Sequence, residues 1–274
     1  MNSSIKKQIN FKKFIKKKKV GILIITKLGS KRLKDKIKAK VNQITLTEIL
    51  IKRLVSAIGN QNLVICSSGK NSKYFLKPFV KKYKIKLFLG QNKNVMGRIL
   101  DCMQMYNYKH FVRVTGDNPF TDCAALKKMV KSHIKKKNDY TYTDRLPKGM
   151  QPEVFSFAAL NKYKNKIIDK NSTEYLTYFF LRRDLYKIEN FKIKQVVPNQ
   201  QKLSISIDYY KNLKLLENIM NTNNNNIYLK SRKIIHFLKK NTRQINYLKK
   251  VPIKCKSYDV RYLFDKKKKF IDLD

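Results

Sequence analysis

Short apolar runs alternate with amphipathic stretches through the first half of the chain. Val20-Gly21-Ile22-Leu23-Ile24-Ile25 is a continuous β-branched run, the pattern of a strand buried on both faces. Leu46, Ile49, Leu50, Leu54 and Ile58 then recur at helical spacing, with Thr45 or Thr47 as the cap. Leu63-Val64-Ile65-Cys66 predicts a second strand, Phe75, Phe79 and Val80 a helix, and Ile85 to Leu89 a third strand. A helix over Val95 to Tyr106, a strand at Phe111 to Val114, a helix carrying Leu126, Met129, Val130 and His133, and a strand at Tyr140-Thr141-Tyr142 continue the alternation. Short strands alternating with longer helices predict an α/β fold with an open, mostly parallel sheet flanked by helices.

The second half is less regular. Glu153 to Phe157 reads as a strand entering a helix, and residues 172–184 read as helical. Leu203-Ser204-Ile205-Ser206-Ile207-Asp208 alternates strictly, predicting a strand that ends in a carboxylate. Helix faces follow at Leu213, Leu216 and Ile219 and at Ile234, Ile235 and Leu238, separated by the low-complexity spacer Asn223 to Asn226. The expected organisation is a basic arm over residues 1–19, one domain over 20–248 and a basic tail over 249–274. In the arm, Phe11, Phe14 and Ile15 form one weak helical face, which leaves a disordered tail or a short amphipathic helix open.

Charge alters this picture less than its size suggests. Lys and Arg total 63 against 18 Asp and Glu, a net charge of +45. Such an excess is the footprint of a nucleic-acid or anionic-membrane partner. Here lysine far outnumbers arginine, Asn and Ile are abundant, and the lysines are spread along the whole chain. That distribution favours AT-rich coding drift over a specific nucleic-acid site; a basic nucleic-acid-binding protein remains the alternative class. Cys66, Cys102, Cys123 and Cys255 form no C-x-x-C pair, which points to a reducing, cytoplasmic setting. His110, His133 and His236 are scattered, without metal or triad spacing, and are expected in surface or packing roles. The apolar run after the lysine-rich arm spans six residues and leads into Lys27, too short for a signal-peptide core of about 7–15 residues. No stretch reaches the roughly 18 apolar residues of a transmembrane helix.

Candidate chemistry collects at strand ends, where parallel α/β sheets bind ligands. The loop after the first strand contains Lys27, Gly29, Ser30, Arg32 and Lys36. Gly29 permits a tight turn and close backbone approach, while Arg32 and Lys36 supply donors suited to phosphate. Asp117, in Thr115-Gly116-Asp117-Asn118-Pro119, and Asp208 each follow a predicted strand. Two aspartates on one sheet edge are candidate Mg²⁺ ligands, since that ion prefers a few carboxylates completed by substrate phosphates and water.

The order of these motifs resembles the cytidylyltransferases of the spore-coat polysaccharide biosynthesis type, relatives of the acylneuraminate and 3-deoxy-manno-octulosonate cytidylyltransferases. The family's A-R-M-G-S-T-R-L-P-G-K loop is similar to Lys27 through Lys36, and its D-V-L-x-R to Asn94 through Arg98. Its R-x-T-G-D-x-P-x-x-D matches Arg113, Thr115, Gly116, Asp117, Pro119 and Asp122. Its G-L-D-V-E-V-F-S, E-H-x-T and L-T-V-D resemble residues 149–156, 174–177 and 205–208. The resemblance implies a Rossmann-like nucleotidyltransferase that transfers CMP from CTP to an acidic or surface-glycan sugar and releases pyrophosphate. It assigns catalysis to Arg32, Lys36 and Asp117, and nucleotide binding to Lys27, Gly29, Ser30, Arg32, Lys36, Arg98, Arg113 and Thr115. It places Gln151, Glu153, Glu174 and Tyr175 at the sugar, and Mg²⁺ on Asp117 and Asp208. A homodimer fits the resemblance. Departures are Lys27 for Arg, Lys34-Asp35 for Pro-Gly, Asn42-Gln43 for a Gly pair, Gln151 for an acid and Tyr175 for His. They leave a catalytically decayed nucleotide-binding paralogue as a further alternative.

Overall fold

The computed structural model describes residues 3–30, 33–164, 177, 180, 183–193 and 203–241. The sheet grows outward from its first strand. β1 (Val20–Ile25) is buried along its whole length and lies between β4 (Leu63–Ser67) and β6 (His110–Thr115), parallel to both. With β5 (Lys86–Leu89), β7 (Tyr140–Tyr142), β8 (Glu153–Ser156) and β9 (Ile188–Asn190), the order is β5-β4-β1-β6-β8-β7-β9. β8 runs antiparallel to both of its neighbours, whereas the other pairings are parallel. The expected open, mostly parallel sheet is therefore what the chain forms.

Helices cover both faces, because alternate residues of the central strands are apolar on each side. Ile22, Ile24, Val112, Val114 and Val154 face one cluster, built with α2 (Leu46–Ile58) and α5 (Cys123–Lys136). Leu23, Phe111, Phe155 and Tyr140 face the other, built with α4 (Val95–Met105) and α6 (Phe157–Lys164). The Thr45 side chain accepts from the Glu48 amide at the start of α2. The Thr47 hydroxyl instead donates to the Ile37 carbonyl. The N-terminal arm forms a helix, α1 (Ser3–Lys17), which buries Phe11 and Ile15 in the first cluster. Burial of two such side chains is worth about 1.5–3 kcal/mol each, which anchors a helix rich in lysine to the domain. Among the described residues, α3 (Lys70–Tyr83), α7 (Tyr210–Asn221) and α8 (Ser231–Lys240) are further helices. The tail from residue 242 onward and most of the helix expected at 172–184 lie outside the described residues.

One expectation fails. Leu203 to Asp208 is not a strand of the sheet; it is an extended segment with a single bridge, Ser204 to Lys148. Its serines are buried like its isoleucines, so the alternation does not mark an inside and an outside face. The segment is held by loop backbone instead, through Lys148 N to Leu203 O, Ile205 N to Lys148 O and Ile207 N to Asp117 O.

The strand pair β2 (Lys40–Val41) and β3 (Ile44–Thr45) turns through Asn42 and Gln43, both left-handed at φ 47° and 68°. This is the geometry that glycines favour in a two-residue hairpin, kept here by side chains. The Asn42 amide donates to Asn221 and Asn225, which secures the turn against the end of α7 and the asparagine spacer.

His110 and His133 meet beside the sheet, ring nitrogens 3.2 Å apart, and His133 also contacts the Thr141 hydroxyl at 3.0 Å. Burial lowers both imidazoles, with Lys109 and Lys18 adding to the effect at His110, to about 4 for His110 and about 3 for His133. The unfolded chain thus takes up two protons near pH 6.5 that the folded chain refuses until below pH 4. Stability is full above pH 6.5 and falls across that window, with a slope of about 1–3 kcal/mol per pH unit. Thermal melts at pH 7 and pH 5 should show a clear drop in Tm at the lower pH; equal values would refute the buried neutral pair.

Candidate active site

Strand order reverses at the β1–β6 boundary: the chain runs outward from β1 through β4 and β5, then returns to the other side of β1 as β6. Such a switch point opens a crevice at the carboxyl ends of the strands. Ile25 and Thr115 are register partners there, and the loops that leave them form the two walls. They lie close together, because Gly116 N donates to Ile25 O and a Cβ on Gly116 would stand 2.5 Å from the Thr26 hydroxyl.

Three chain segments converge on one nitrogen. The Lys36 ammonium donates to Asp117 Oδ2 and, at 3.3 Å, to Asp208 Oδ1. The three side chains are 16%, 20% and 17% exposed, partly shielded yet open to a ligand. Burial opposes charge on Lys36, but Asp117 and then Asp208 prevail and raise its pKa above the ordinary value. Burial likewise works to raise Asp117, but Lys36 and the Thr115 contact outweigh it and hold the carboxyl below its usual range.

Backbone bonds deliver each member of this triad. A short 3-10 turn, Lys36–Lys38, sets Lys36, and its buried Ile37 packs beneath the loop. Asp117 sits in the turn closed by Asn118 N to Thr115 O, where the Asn118 side chain also donates to the Thr115 hydroxyl. Asp208 is tied to Asp117 through Ile207 N to Asp117 O, and Asn212 accepts from the amides of both Asp208 and Tyr209. Gly149, at φ +90°, lets the 148–150 loop lie against this segment; a Cβ there would fall 2.5 Å from Ser206 N.

Within the basic loop, Gly29 is left-handed at φ +84°. Its N–H donates to Asp35 Oδ1 at 3.0 Å, so the amide expected for phosphate already holds an anion. The Ser30 hydroxyl donates to the Leu33 carbonyl and accepts from Lys36 N. Asp35 stands where the family pattern has Gly and takes φ 48°, ψ 42°, the left-handed conformation that Asp tolerates. The turn survives the substitution. Lys27 is half-buried at the loop entrance, and Arg32 lies outside the described residues.

The remaining expected site residues are engaged internally. Arg98 is 1% exposed and donates to the carbonyls of Gln91 and Asn92, so it orders the loop after β5 and presents no open charge to a ligand. Arg113 pairs with Glu153 at 2.5 Å across β6 and β8, and Glu153 also accepts from Tyr140 and Thr177 at 2.6 Å. Gln151 donates to the Leu146 carbonyl. Glu174 and Tyr175 lie outside the described residues. Sequence reading overlooked Asn212, which sets the backbone of Asp208, and Asp35, which fills the loop amide.

Two carboxylates that share one ammonium make a donor set suited to a divalent cation completed by phosphate and water. No group of three or more His, Cys, Asp or Glu that could hold a metal occurs among the described residues, so any metal here would need ligands from a substrate. Among the described residues, no helix is long and apolar enough to cross a membrane.

Residues 22–234 match the family model described as cytidylyltransferase. An uncharacterized protein of Methanocaldococcus jannaschii is 29% identical over 223 residues, which cover 81% of this chain and 90% of that one. The spore coat polysaccharide biosynthesis protein SpsF of Bacillus subtilis is 31% identical over 136 residues, 48% of this chain and 57% of that one. Among solved structures, a cytidylyltransferase of Leptospira borgpetersenii aligns with a TM-score of 0.75 at 23% identity, covering 83% of this chain and 96% of its own. A CMP:2-keto-3-deoxy-manno-octonic acid synthetase solved with CTP aligns at 0.57 and 10% identity, covering 75% and 99%. At these identities the structural likeness establishes the nucleotidyltransferase fold.

Replacing Lys36 with Ala leaves two partly buried carboxylates facing each other, a loss of roughly 3 kcal/mol at neutral pH. Wild-type stability from Asp117 is present above its unfolded value of 3.8 and lost as pH falls through the lower folded value, while that from Lys36 is lost only above 10.5. The gap between variant and wild type should therefore hold at neutral pH and narrow as pH falls below 3.8 in paired denaturation curves; a gap unchanged in that range would contradict the shared ion pair. Gly149→Ala should cost about 2 kcal/mol or more, from positive φ and the contact with Ser206 N. A Gly149→Ala melt indistinguishable from wild type would remove the tight packing ascribed to that loop.

Proposed function

The chain belongs to the cytidylyltransferase family, and from that membership we propose that it transfers CMP from CTP to a sugar hydroxyl and releases pyrophosphate. The observation that carries this reading is the Lys36–Asp117–Asp208 constellation at the switch point of the sheet. The sugar oxygen forms a bond to the α-phosphorus, the bond from that phosphorus to the α,β-bridging oxygen breaks so that this oxygen leaves with pyrophosphate, and the hydroxyl proton passes to solvent. Positioning and charge neutralisation carry most of such a step.

Lys36 has the length and charge to move from the aspartates to the triphosphate, joined there by the Gly29 amide and, from the loop pattern, by Arg32. Asp117 and Asp208 would then hold Mg²⁺, which supplies neutralisation of the phosphate oxygens when bound. Asp117 is kept well ionised by its surroundings, which makes it a weak base and suits it to an electrostatic role. Arg98 supports the nucleotide side indirectly by fixing the carbonyls of Gln91 and Asn92. On the sugar side, the Arg113–Glu153–Tyr140 network gives a rigid polar floor, and Gln151, Glu174 and Tyr175 are the further candidates. The similarity to SpsF and to the octonic acid synthetase supports a surface-glycan or acidic sugar as the acceptor.

Pyrophosphate release with CTP, Mg²⁺ and a panel of acidic sugars tests the reaction. Asp117→Asn and Asp208→Asn should each lower turnover by about 100-fold or more, while Lys36 keeps one carboxylate partner in either variant and a cooperative unfolding transition is retained at a lower Tm. CTP should raise Tm more than ATP, GTP or UTP does. Absence of both a CTP-dependent shift and pyrophosphate release would sink the proposal. Binding governed only by salt, to nucleic acid of any sequence, would mark the protein as simply basic.

A further inference from the structure

The departure at Asp35 has a specific consequence for the basic loop. Gly29 N–H points to Asp35 Oδ1 at 3.0 Å, and the second carboxylate oxygen takes the Lys38 ammonium at 3.1 Å. Asp35 is bound to the loop by contacts that an incoming anion would reproduce: one backbone amide and one lysine. The Gly29 bond first, and Lys38 after it, hold the Asp35 carboxyl below its ordinary value, so it remains an anion at neutral pH. The position beside Gly29 is open, with nothing within 4 Å of where a Cβ would stand. The Asp35 side chain is 31% exposed and Lys38 is 46% exposed, so both can swing outward without disturbing the buried Ile37 between them.

We propose that Asp35 is an affinity-setting residue: its carboxylate occupies the loop amide in place of a phosphate oxygen and must leave before a triphosphate can seat. This rests on the reading above that the loop holds the nucleotide phosphates. Entry of a nucleotide exchanges one anion for another at Gly29 and frees Lys38 to meet the newcomer. The net gain per bound phosphate is smaller than in a loop whose amide is vacant. Residual repulsion from the displaced carboxylate lowers affinity further.

The test is calorimetric titration of wild type, Asp35→Gly and Asp35→Asn with CTP and, separately, with inorganic tripolyphosphate, both with Mg²⁺. Gly removes the plug and keeps the left-handed turn, so both ligands should bind about tenfold tighter, the worth of one charge-assisted hydrogen bond. Asn keeps an acceptor oxygen and loses the charge, so its gain should be smaller, about threefold. Both residues adopt the left-handed conformation, and Tm should stay within about 2 °C of wild type; should Asp35→Gly fold poorly, Asp35→Asn carries the test. Equal or weaker binding of both ligands by both variants overturns the inference. Tighter tripolyphosphate binding with no CTP binding in any form upholds it and overturns the cytidylyl reading. Failure of every form to bind either ligand shows that the loop takes no phosphate, and the inference falls.

Discussion

The site depends on one ammonium group. Lys36 Nζ is the point at which a loop after β1, a turn after β6 and an extended segment before α7 become one object, although Lys36, Asp117 and Asp208 are far apart in sequence. Apolar packing brings these segments near one another, but it does not fix where two carboxylates point. Without a cation between them, Asp117 and Asp208 would repel, and the Ile207–Asp117 backbone bond would hold two like charges at close quarters. The lysine therefore both completes the edge and marks where positive charge is required.

Around that point many polar groups find partners within the chain, although Thr26 Oγ1, Asn118 Oδ1 and the Nε atoms of Arg98 and Arg113 find none among the described residues. Gly29 has Asp35, Ser30 has Leu33, Arg98 has the Gln91 and Asn92 carbonyls, and Arg113 has Glu153. The partners lie in the same loop, in a helix and the loop that leads into it, or on adjacent strands. Together they engage these polar groups of the site within the chain, so that ligand binding there would be an exchange of partners. Ordering of this kind lowers the entropy lost on binding, at the expense of the interactions that must first be broken.

Much of this was legible in the sequence. The β1 run, the Thr45 cap, the α/β alternation and the turn at residues 115–119 follow from periodicity and turn chemistry, which are local signals. What was hidden is non-local. Ile205 and Ile207 alternate with serines as a half-buried strand would, yet the serines are buried as well, so alternation carried no information about faces. Arg98 is assigned to the nucleotide by its place in the family motif, and its acceptors are carbonyl oxygens of its own chain. His110 and His133 pair only because β6 and α5 adjoin. Asp35 and Asn42 take left-handed conformations that glycine would announce and that Asp and Asn adopt without announcement.

The lysine excess also has a kinetic side. Of the carboxylates in the described residues, those at positions 35, 48, 117, 144, 153, 189, 208 and 217 are all paired with cations of the chain itself. Little negative charge is left to balance the remaining lysines, and the net +45 projects outward as a field. A nucleotide carrying several negative charges would drift down that field from beyond contact distance, and its rate of capture would rise more than its affinity. Added salt contracts the field to within about 10 Å of the surface at 0.1 M. Whatever its origin, the lysine excess would thus set how often the crevice is visited, whichever residues wait inside it.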